Sequence, residues 1–104
     1  MWDADAAAEL ASLTSKEEKK ALLNAIDKLR QLGERLIPPH MKPLKGGSGL
    51  RELRPRQGRT HVRALYCRVG DEYVILSLCL KPDKADWGAA LSAAQDRASL
   101  YVQR

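Results

Sequence analysis

The hydrophobic positions in the first third of the chain recur at helical intervals. Between Leu22 and Leu29 they are spaced by three and four residues, and a capping box begins ahead of them at Ser15. Gly33 can close such a helix, because glycine adopts the left-handed backbone conformation without strain. The pattern therefore predicts a helix from Ser15 to Leu32.

A shorter, alanine-rich helix is predicted ahead of this one. Either Asp3 or Asp5 can cap it, and its apolar residues between Ala6 and Leu13 fall on one side. The end that carries Trp2 can alternatively form an extended stub. We expect the two helices to lie antiparallel and to form the first layer of the fold.

From Leu50 onward the hydrophobic pattern becomes that of strands. The segments Leu50–Arg54, Thr60–Val69 and Tyr73–Lys81 are predicted strands that are separated by turn residues. The glycine-rich segment His40–Gly49 is a predicted loop. Short turns between successive strands favour an antiparallel meander.

A last helix is predicted after these strands, with Asp83 or Asp86 as its cap. Its apolar stripe runs from Trp87 to Tyr101 at intervals of three and four, and we expect it to pack on the sheet. The length of 104 residues fits a single domain over residues 1–104. The predicted fold class is α+β: an N-terminal helical hairpin packed on a small antiparallel β-sheet meander with a C-terminal helix.

The composition excludes several classes of protein. With 44% hydrophobic and 30% charged residues, the chain is neither disordered nor of low complexity. Its longest apolar run, Val74–Leu80, is far shorter than the roughly 20 residues that span a bilayer. The chain also does not start with a basic segment followed by an apolar one, as a secretory signal would. We therefore expect a cytoplasmic protein with no membrane partner.

Positive charge is concentrated in the middle of the chain. The overall net charge is +5, but residues 41–70 carry eight basic residues against Glu52 alone, which leaves +7. The basic residues are Lys42, Lys45, Arg51, Arg54, Arg56, Arg59, Arg63 and Arg68. Arginine dominates this set, and its planar guanidinium binds phosphate oxygens in a bidentate manner. The segment therefore indicates a polyanion partner, with a solvated basic surface as the alternative reading.

The cysteines and histidines do not indicate a disulfide or a metal site. A hairpin that turns at Gly70 places Cys67 opposite Val74, and it places Cys79 near Val62 or Arg63, so the two thiols should stay apart and free. The spacing of the two cysteines and two histidines matches no zinc motif. We predict neither a metal nor another cofactor.

Strand alternation decides which basic side chains can share a face. If Arg54 pairs with His61, then Glu52 pairs with Arg63, and all four side chains project from one side of the sheet. Lys81 joins them if it pairs with His61, whereas a register shift of one residue sends it to the other side. Arg63 can also form a cross-strand salt bridge with Glu52, which is compatible with a role in binding.

An ordered set of short motifs runs through most of the chain. In sequence order they are the helix pair, KPLKG at 42–46, GLRELR at 49–54, Gly58, VRALY at 62–66, VIL at 74–76, Lys81 and a closing helix. In this order and spacing the sequence resembles the RelE/ParE superfamily of type II toxins, and within it the HigB branch.

The resemblance implies a compact α/β toxin that cleaves mRNA in the ribosomal A site and is neutralised by a cognate antitoxin. For the HigB branch that antitoxin is expected to be a helix-turn-helix protein. The resemblance carries catalytic roles to Arg54, Arg63 and Lys81, and a phosphate-binding role to Lys45. His61 is the natural group for proton transfer because its unperturbed pKa lies near 6.5, although an exposed strand histidine is the plainer reading. We expect further RNA phosphate contacts from Lys42, Arg51, Arg56 and Arg59.

Two other functions compete with mRNA cleavage. A ParE-like toxin would inhibit DNA gyrase by binding, without chemistry of its own. The basic residues at the strand ends favour the nuclease, because gyrase inhibition does not require them. A simple RNA-binding domain is disfavoured, because 5% aromatic residues and no Phe leave little for base stacking.

Overall fold

A computed structural model of the chain describes residues 1–45, 49–56, 60–81 and 83–102. The elements, in chain order, are α1 (Ala4–Ser12), α2 (Lys16–Leu32), a 3₁₀ turn (Gly33–Arg35), β1 (Met41–Pro43), β2 (Arg51–Leu53), β3 (Arg63–Val69), β4 (Glu72–Cys79) and α3 (Lys84–Val102). This arrangement confirms the predicted α+β fold, with N-terminal helices, an antiparallel sheet and a C-terminal helix. No described helix combines the length and the apolar character that crossing a membrane requires.

The caps of the first two helices follow the sequence signals. The side chain of Asp3 accepts hydrogen bonds from the backbone N–H groups of the first turn of α1, and the Ser15 hydroxyl accepts one from Glu18 N at 3.2 Å. Gly33 closes α2 with a φ of 55°. The residue before the first cap, Trp2, forms an isolated parallel bridge with β4, so both the helix and the extended stub are present.

The sheet is an antiparallel meander with the order β1-β2-β3-β4, and β1 was not predicted. Met41 pairs with Leu53 and Lys42 with Glu52, inside the segment expected to be a loop. Three residues are too few to show an alternating pattern, and the neighbouring glycines dominate the local signal. Pro43 fits this edge position because an edge strand tolerates a residue without an N–H.

The predicted register of the first hairpin was wrong by two residues. Glu52 pairs with Leu65, not with Arg63, because the connection between β2 and β3 is longer than the expected turn. A shift of two preserves the side of the sheet that each residue faces. The second hairpin has the expected register: Cys67 pairs with Val74 and Arg63 with Cys79, and both cysteines are buried and free.

Two cores cover the two faces of the sheet. One face packs against α1 and α2, with Leu22 and Ile26 among the buried residues, and the other packs against α3 through Ala90 and Ala94. A register irregularity in the β3–β4 ladder brings Ser77 to the α3 side, where its hydroxyl donates to Ala90 O at 2.7 Å. Below, these faces are called the α1/α2 face and the α3 face.

Candidate active site

Two adjoining cavities lie on the α3 face, at the end of the sheet where β2 stops and β3 begins. Their volumes are about 520 Å³ and 310 Å³, and Glu52 and Trp87 line both. We call the two cavities together the cleft. Its charged and titratable lining consists of Lys42, Lys45, Glu52, Arg54, His61, Arg63, Cys79, Lys81, Asp83 and Lys84. The four residues predicted to be catalytic, Arg54, His61, Arg63 and Lys81, therefore all line the cleft.

Glu52 is the buried anion of the cleft. Its side chain is 7% exposed, and its two carboxylate oxygens lie 3.3 Å from Arg54 Nη2 and 3.1 Å from Arg63 Nε. The predicted Glu52–Arg63 salt bridge is therefore confirmed, with Arg54 as a second partner. Both arginine side chains remain about one third exposed, at 31% and 34%. Because a guanidinium has five N–H donors, each arginine keeps donors for a ligand.

Lys81 is held at the cleft through its backbone. Asp86 Oδ2 accepts hydrogen bonds from Leu80 N at 2.8 Å and from Lys81 N at 3.0 Å. These bonds, the one from Lys81 foremost, hold the pKa of the Asp86 carboxyl below its usual range. Asp83 Oδ1 accepts from Asp86 N at 2.7 Å, so Asp83 is the cap of α3. The first turn of α3 therefore fixes the end of β4 and places Lys81 beside Arg63 and His61.

Cys79 lies in the wall of the cleft but is not activated. Its Sγ donates to Lys81 O at 3.2 Å and contacts Asp86 Oδ2 at 3.4 Å. Burial, followed by the hydrogen bond to Asp86, raises the pKa of the thiol to about 11. At neutral pH such a thiol is protonated and a poor nucleophile. The charged groups of the cleft, not its thiol, define the chemistry available here.

The predicted phosphate-binding residues are divided between different parts of the surface. Lys42 and Lys45 line the cleft. Arg51 lies on the α1/α2 face, where it donates to Glu34 Oε1 at 2.9 Å, and this bond is the main cause that lowers the pKa of Glu34 to about 2. Arg56 lines a separate cavity. Arg59 lies outside the described residues.

Three residues have roles that the sequence predicts only in part. The sequence predicts one arginine partner for Glu52, whereas the carboxylate pairs with two. It predicts Asp86 as a possible helix cap, whereas the side chain accepts a hydrogen bond from the backbone of Lys81. It places Trp87 in an apolar stripe, and the side chain also lines the cleft. The sequence does contain a signal for the role of Glu52, which is the only acidic residue within the basic segment 41–70. A single carboxylate among several cations can pair with more than one of them.

The arrangement suits the binding of a phosphate group. Two partly exposed guanidiniums on one carboxylate, with an ammonium group nearby, present fixed cations to an anion. Among the described residues, no three His, Cys, Asp or Glu side chains cluster as the ligands of a metal ion would.

Comparison with known proteins places the chain in a family. Residues 8–98 match the family model described as "Phage derived protein Gp49-like (DUF891)". Among curated proteins, none shows significant similarity to the sequence. The match spans most of the chain, including all four described strands and most of α3. The chain therefore belongs to the Gp49-like family of phage-derived proteins, which is a RelE-like toxin family.

Proposed function

We propose that this protein is the toxin of a type II toxin-antitoxin system and that it cleaves mRNA on the ribosome, as the HigB branch of the RelE-like toxins does. The observation that carries this proposal is the pair Arg54 and Arg63 on the buried carboxylate of Glu52, with Lys81 in the same cleft. Membership in a RelE-like toxin family supports the toxin role.

The proposed reaction is attack of a ribose 2′-hydroxyl on the adjacent phosphorus. The 2′-oxygen to phosphorus bond forms, the bond from phosphorus to the 5′-oxygen breaks, and a 2′,3′-cyclic phosphate results. Negative charge grows on the phosphate oxygens, where Arg54 and Arg63 would stabilise it electrostatically. His61 or Lys81 would take part in the transfer of the proton from the 2′-hydroxyl to the leaving oxygen. The ribosome would supply much of the positioning of the mRNA.

The proposed partner is an antitoxin that covers the cleft. An acidic segment would complement the cations that line it, which are Lys42, Lys45, Arg54, Arg63, Lys81 and Lys84. For a HigB-like system this antitoxin is a helix-turn-helix protein. Such a partner would exclude mRNA by occupying the phosphate-binding groups directly.

A reconstituted translation reaction tests the proposal. Purified protein is added to a defined mRNA with and without ribosomes, and new 5′ ends are mapped by primer extension. We expect cuts that require ribosomes, and a loss of about 10²-fold or more in rate for Arg63→Ala, by analogy with the removal of one transition-state donor. Arg30→Ala is the matched control, because Arg30 is an exposed arginine of α2 that does not line the cleft.

A message that stays intact with the wild-type protein would contradict the nuclease. The ParE-like alternative then becomes testable in a DNA gyrase supercoiling assay. Inhibition there that survives Arg63→Ala would indicate a toxin that acts by binding.

A further inference from the structure

A third cavity adjoins the cleft and lies between α2 and the end of β2. Its volume is about 240 Å³. Lys28 of α2, His40, Arg54 and Arg56 line it, together with the apolar Ala21 and Leu53. The hydrogen bond from Arg54 N to His40 O, at 2.9 Å, ties the two chain segments that form its wall. Arg54 lines both this cavity and the cleft.

The described residues around this cavity compensate its positive charge only in part. Lys28, Arg54 and Arg56 are cations at neutral pH, and no Asp or Glu appears in the described lining. Among the described residues, no ion pair reaches Lys28 or Arg56, whereas Arg54 is paired with Glu52 on the side of the cleft. Three cations around one concave site raise the local concentration of anions.

Arg54 also has an unsatisfied hydrogen-bond donor. Its Nε is buried and has no hydrogen-bond partner within the described part of the chain. Buried donors are nearly always paired, so an unpaired one calls for a bound water, ion or ligand group. An anion bound beside Arg54 is one group that could pair with this donor, and the neighbouring cations favour an anion over water.

We propose that this cavity binds a backbone phosphate of the RNA, next to the phosphate held in the cleft. The proposal rests on the nuclease function proposed above and adds the path of the substrate: Arg54 stands between two consecutive phosphate positions. Three cationic side chains and no Trp, Tyr or Phe line this cavity among the described residues, and His40 is the one aromatic ring in that lining. The cations favour a contact to the backbone, which strengthens binding without regard to sequence.

The salt dependence of binding tests the proposal without ribosomes and without cleavage. The probe is a fluorescent single-stranded RNA oligonucleotide with 2′-O-methyl riboses, which lacks the attacking hydroxyl. Its affinity is measured by anisotropy over a series of NaCl concentrations. For a single strand, the slope of log affinity against log salt changes by about 0.7 for each phosphate contact. We expect Lys28→Gln, and separately Arg56→Gln, to reduce the slope by about this amount for oligonucleotides of any sequence.

Lys20→Gln is the matched control, because Lys20 is an exposed lysine of the same helix that lines neither the cavity nor the cleft. An equal change in slope for Lys20→Gln and Lys28→Gln, no change for Lys28→Gln, or no binding by the wild type would each overturn the proposal. So would Lys28-dependent binding of adenosine monophosphate with the affinity of the oligonucleotide, since the cavity would then serve a free nucleotide.

The same data separate this proposal from the nuclease function. If the wild-type protein does not cut mRNA but Lys28→Gln loses one phosphate contact, the phosphate site in the cavity is supported and the nuclease function is overturned. If the wild-type protein cuts mRNA but Lys28→Gln binds the oligonucleotide as the wild type does, the nuclease function is supported and the phosphate site is overturned. Melting curves verify that each variant is folded.

Discussion

At the scale of single residues, Glu52 decides how the arginines of the cleft are presented. An isolated guanidinium on a strand end samples several rotamers, whereas a shared carboxylate fixes two of them relative to each other. The Glu52 carboxylate neutralises one of the two positive charges of Arg54 and Arg63. The three side chains together therefore keep a net charge of +1 for an anionic ligand. A developing dianionic phosphate would meet donors that are already oriented, and this is the condition for electrostatic catalysis.

Glu52→Gln tests this role. The substitution keeps the shape of the side chain and removes its charge, so both arginines lose a charge-assisted hydrogen bond. We expect the cleavage rate to fall tenfold or more. The free energy of unfolding should fall by about 1 to 2 kcal/mol, a modest loss because both guanidiniums can still reach water. Single-turnover cleavage and urea denaturation measure the two effects.

The control for this substitution is Glu72→Gln, which changes an exposed glutamate at the start of β4. It should leave both quantities near the wild type. A Glu52→Gln variant with the full cleavage rate would show that the arginines orient themselves without the carboxylate.

At the scale of elements, the sequence predicts what local signals determine. The cap at Ser15 and the glycine at the end of α2 lie where short-range hydrogen bonds and backbone preference decide the outcome, and both predictions are confirmed. β1 was missed because its pairing with β2 depends on residues ten positions away and on only three residues of its own. The register of Glu52 was wrong because the length of the connection after β2 is not encoded by alternation.

The placement of the site residues on one face of the sheet could nevertheless be predicted from the alternation of side chains along each strand. Arg54, Arg63 and Glu52 keep their common face under a register error of two residues, because side chains on a strand repeat every two. The cavity beside α2 could not be predicted, since it depends on how Lys28 approaches the end of β2 in the folded chain. The tie between Asp86 and Lys81 is likewise a contact between two elements, which hydrophobic spacing does not reveal.

Arg97 of α3 connects this helix to β4 and to the N-terminal residues through hydrogen bonds and ion pairs. Its guanidinium donates to Leu76 O at 2.8 Å, lies 2.8 Å from Glu9 Oε2 and is within 4 Å of Asp3. Arg97→Ala should therefore lower the free energy of unfolding by about 2 to 3 kcal/mol, since it leaves partly buried acceptors without their donor. Chemical denaturation measures the loss. Arg30→Ala, a change at an exposed arginine, should cost about 0.5 kcal/mol or less.

At the scale of the whole molecule, the basic middle of the chain is divided by the sheet. Arg51 and Arg68 point to the α1/α2 side, where both pair with Glu34, and they do not add to the cleft. Arg54 and Arg63 reach the α3 face instead. Net charge along the sequence therefore overstates the charge of the cleft, because alternation sends neighbouring residues of one strand to opposite faces. Among the described residues of this basic segment, Lys42, Lys45 and Arg56 form no ion pair, and they line the cleft and the cavity beside α2, which Arg54 joins.

The same distribution of charge predicts how stability depends on pH. The pKa of Glu34 is lowered from 4.5 to about 2, so its ion pairs contribute fully above pH 4.5 and are lost as the pH falls toward 2. The lowered pKa of Asp86 acts in the same direction. The pKa of Cys79 is raised from 9.0 to about 11, because the folded protein favours the protonated thiol. The stability of the folded state that depends on this protonated thiol is fully present below pH 9 and is lost as the pH rises toward 11. We expect the melting temperature to be highest between these limits and to fall on both sides.

Glu34→Gln isolates the acid side of this profile. The variant should be less stable than the wild type at pH 7, by about 1 kcal/mol, because Glu34 is 45% exposed and solvent weakens its ion pairs. Below pH 4.5 its melting temperature should fall less steeply, so that the two proteins converge as the pH approaches 2. Calorimetry across this range, with Glu72→Gln as the control that keeps the wild-type slope, measures the difference. If the melting temperature of Glu34→Gln instead stays a constant amount below that of the wild type at every pH, other carboxylates cause the loss of stability in acid. Protonation of Glu34, which would break its ion pair with Arg51, would then not contribute to that loss.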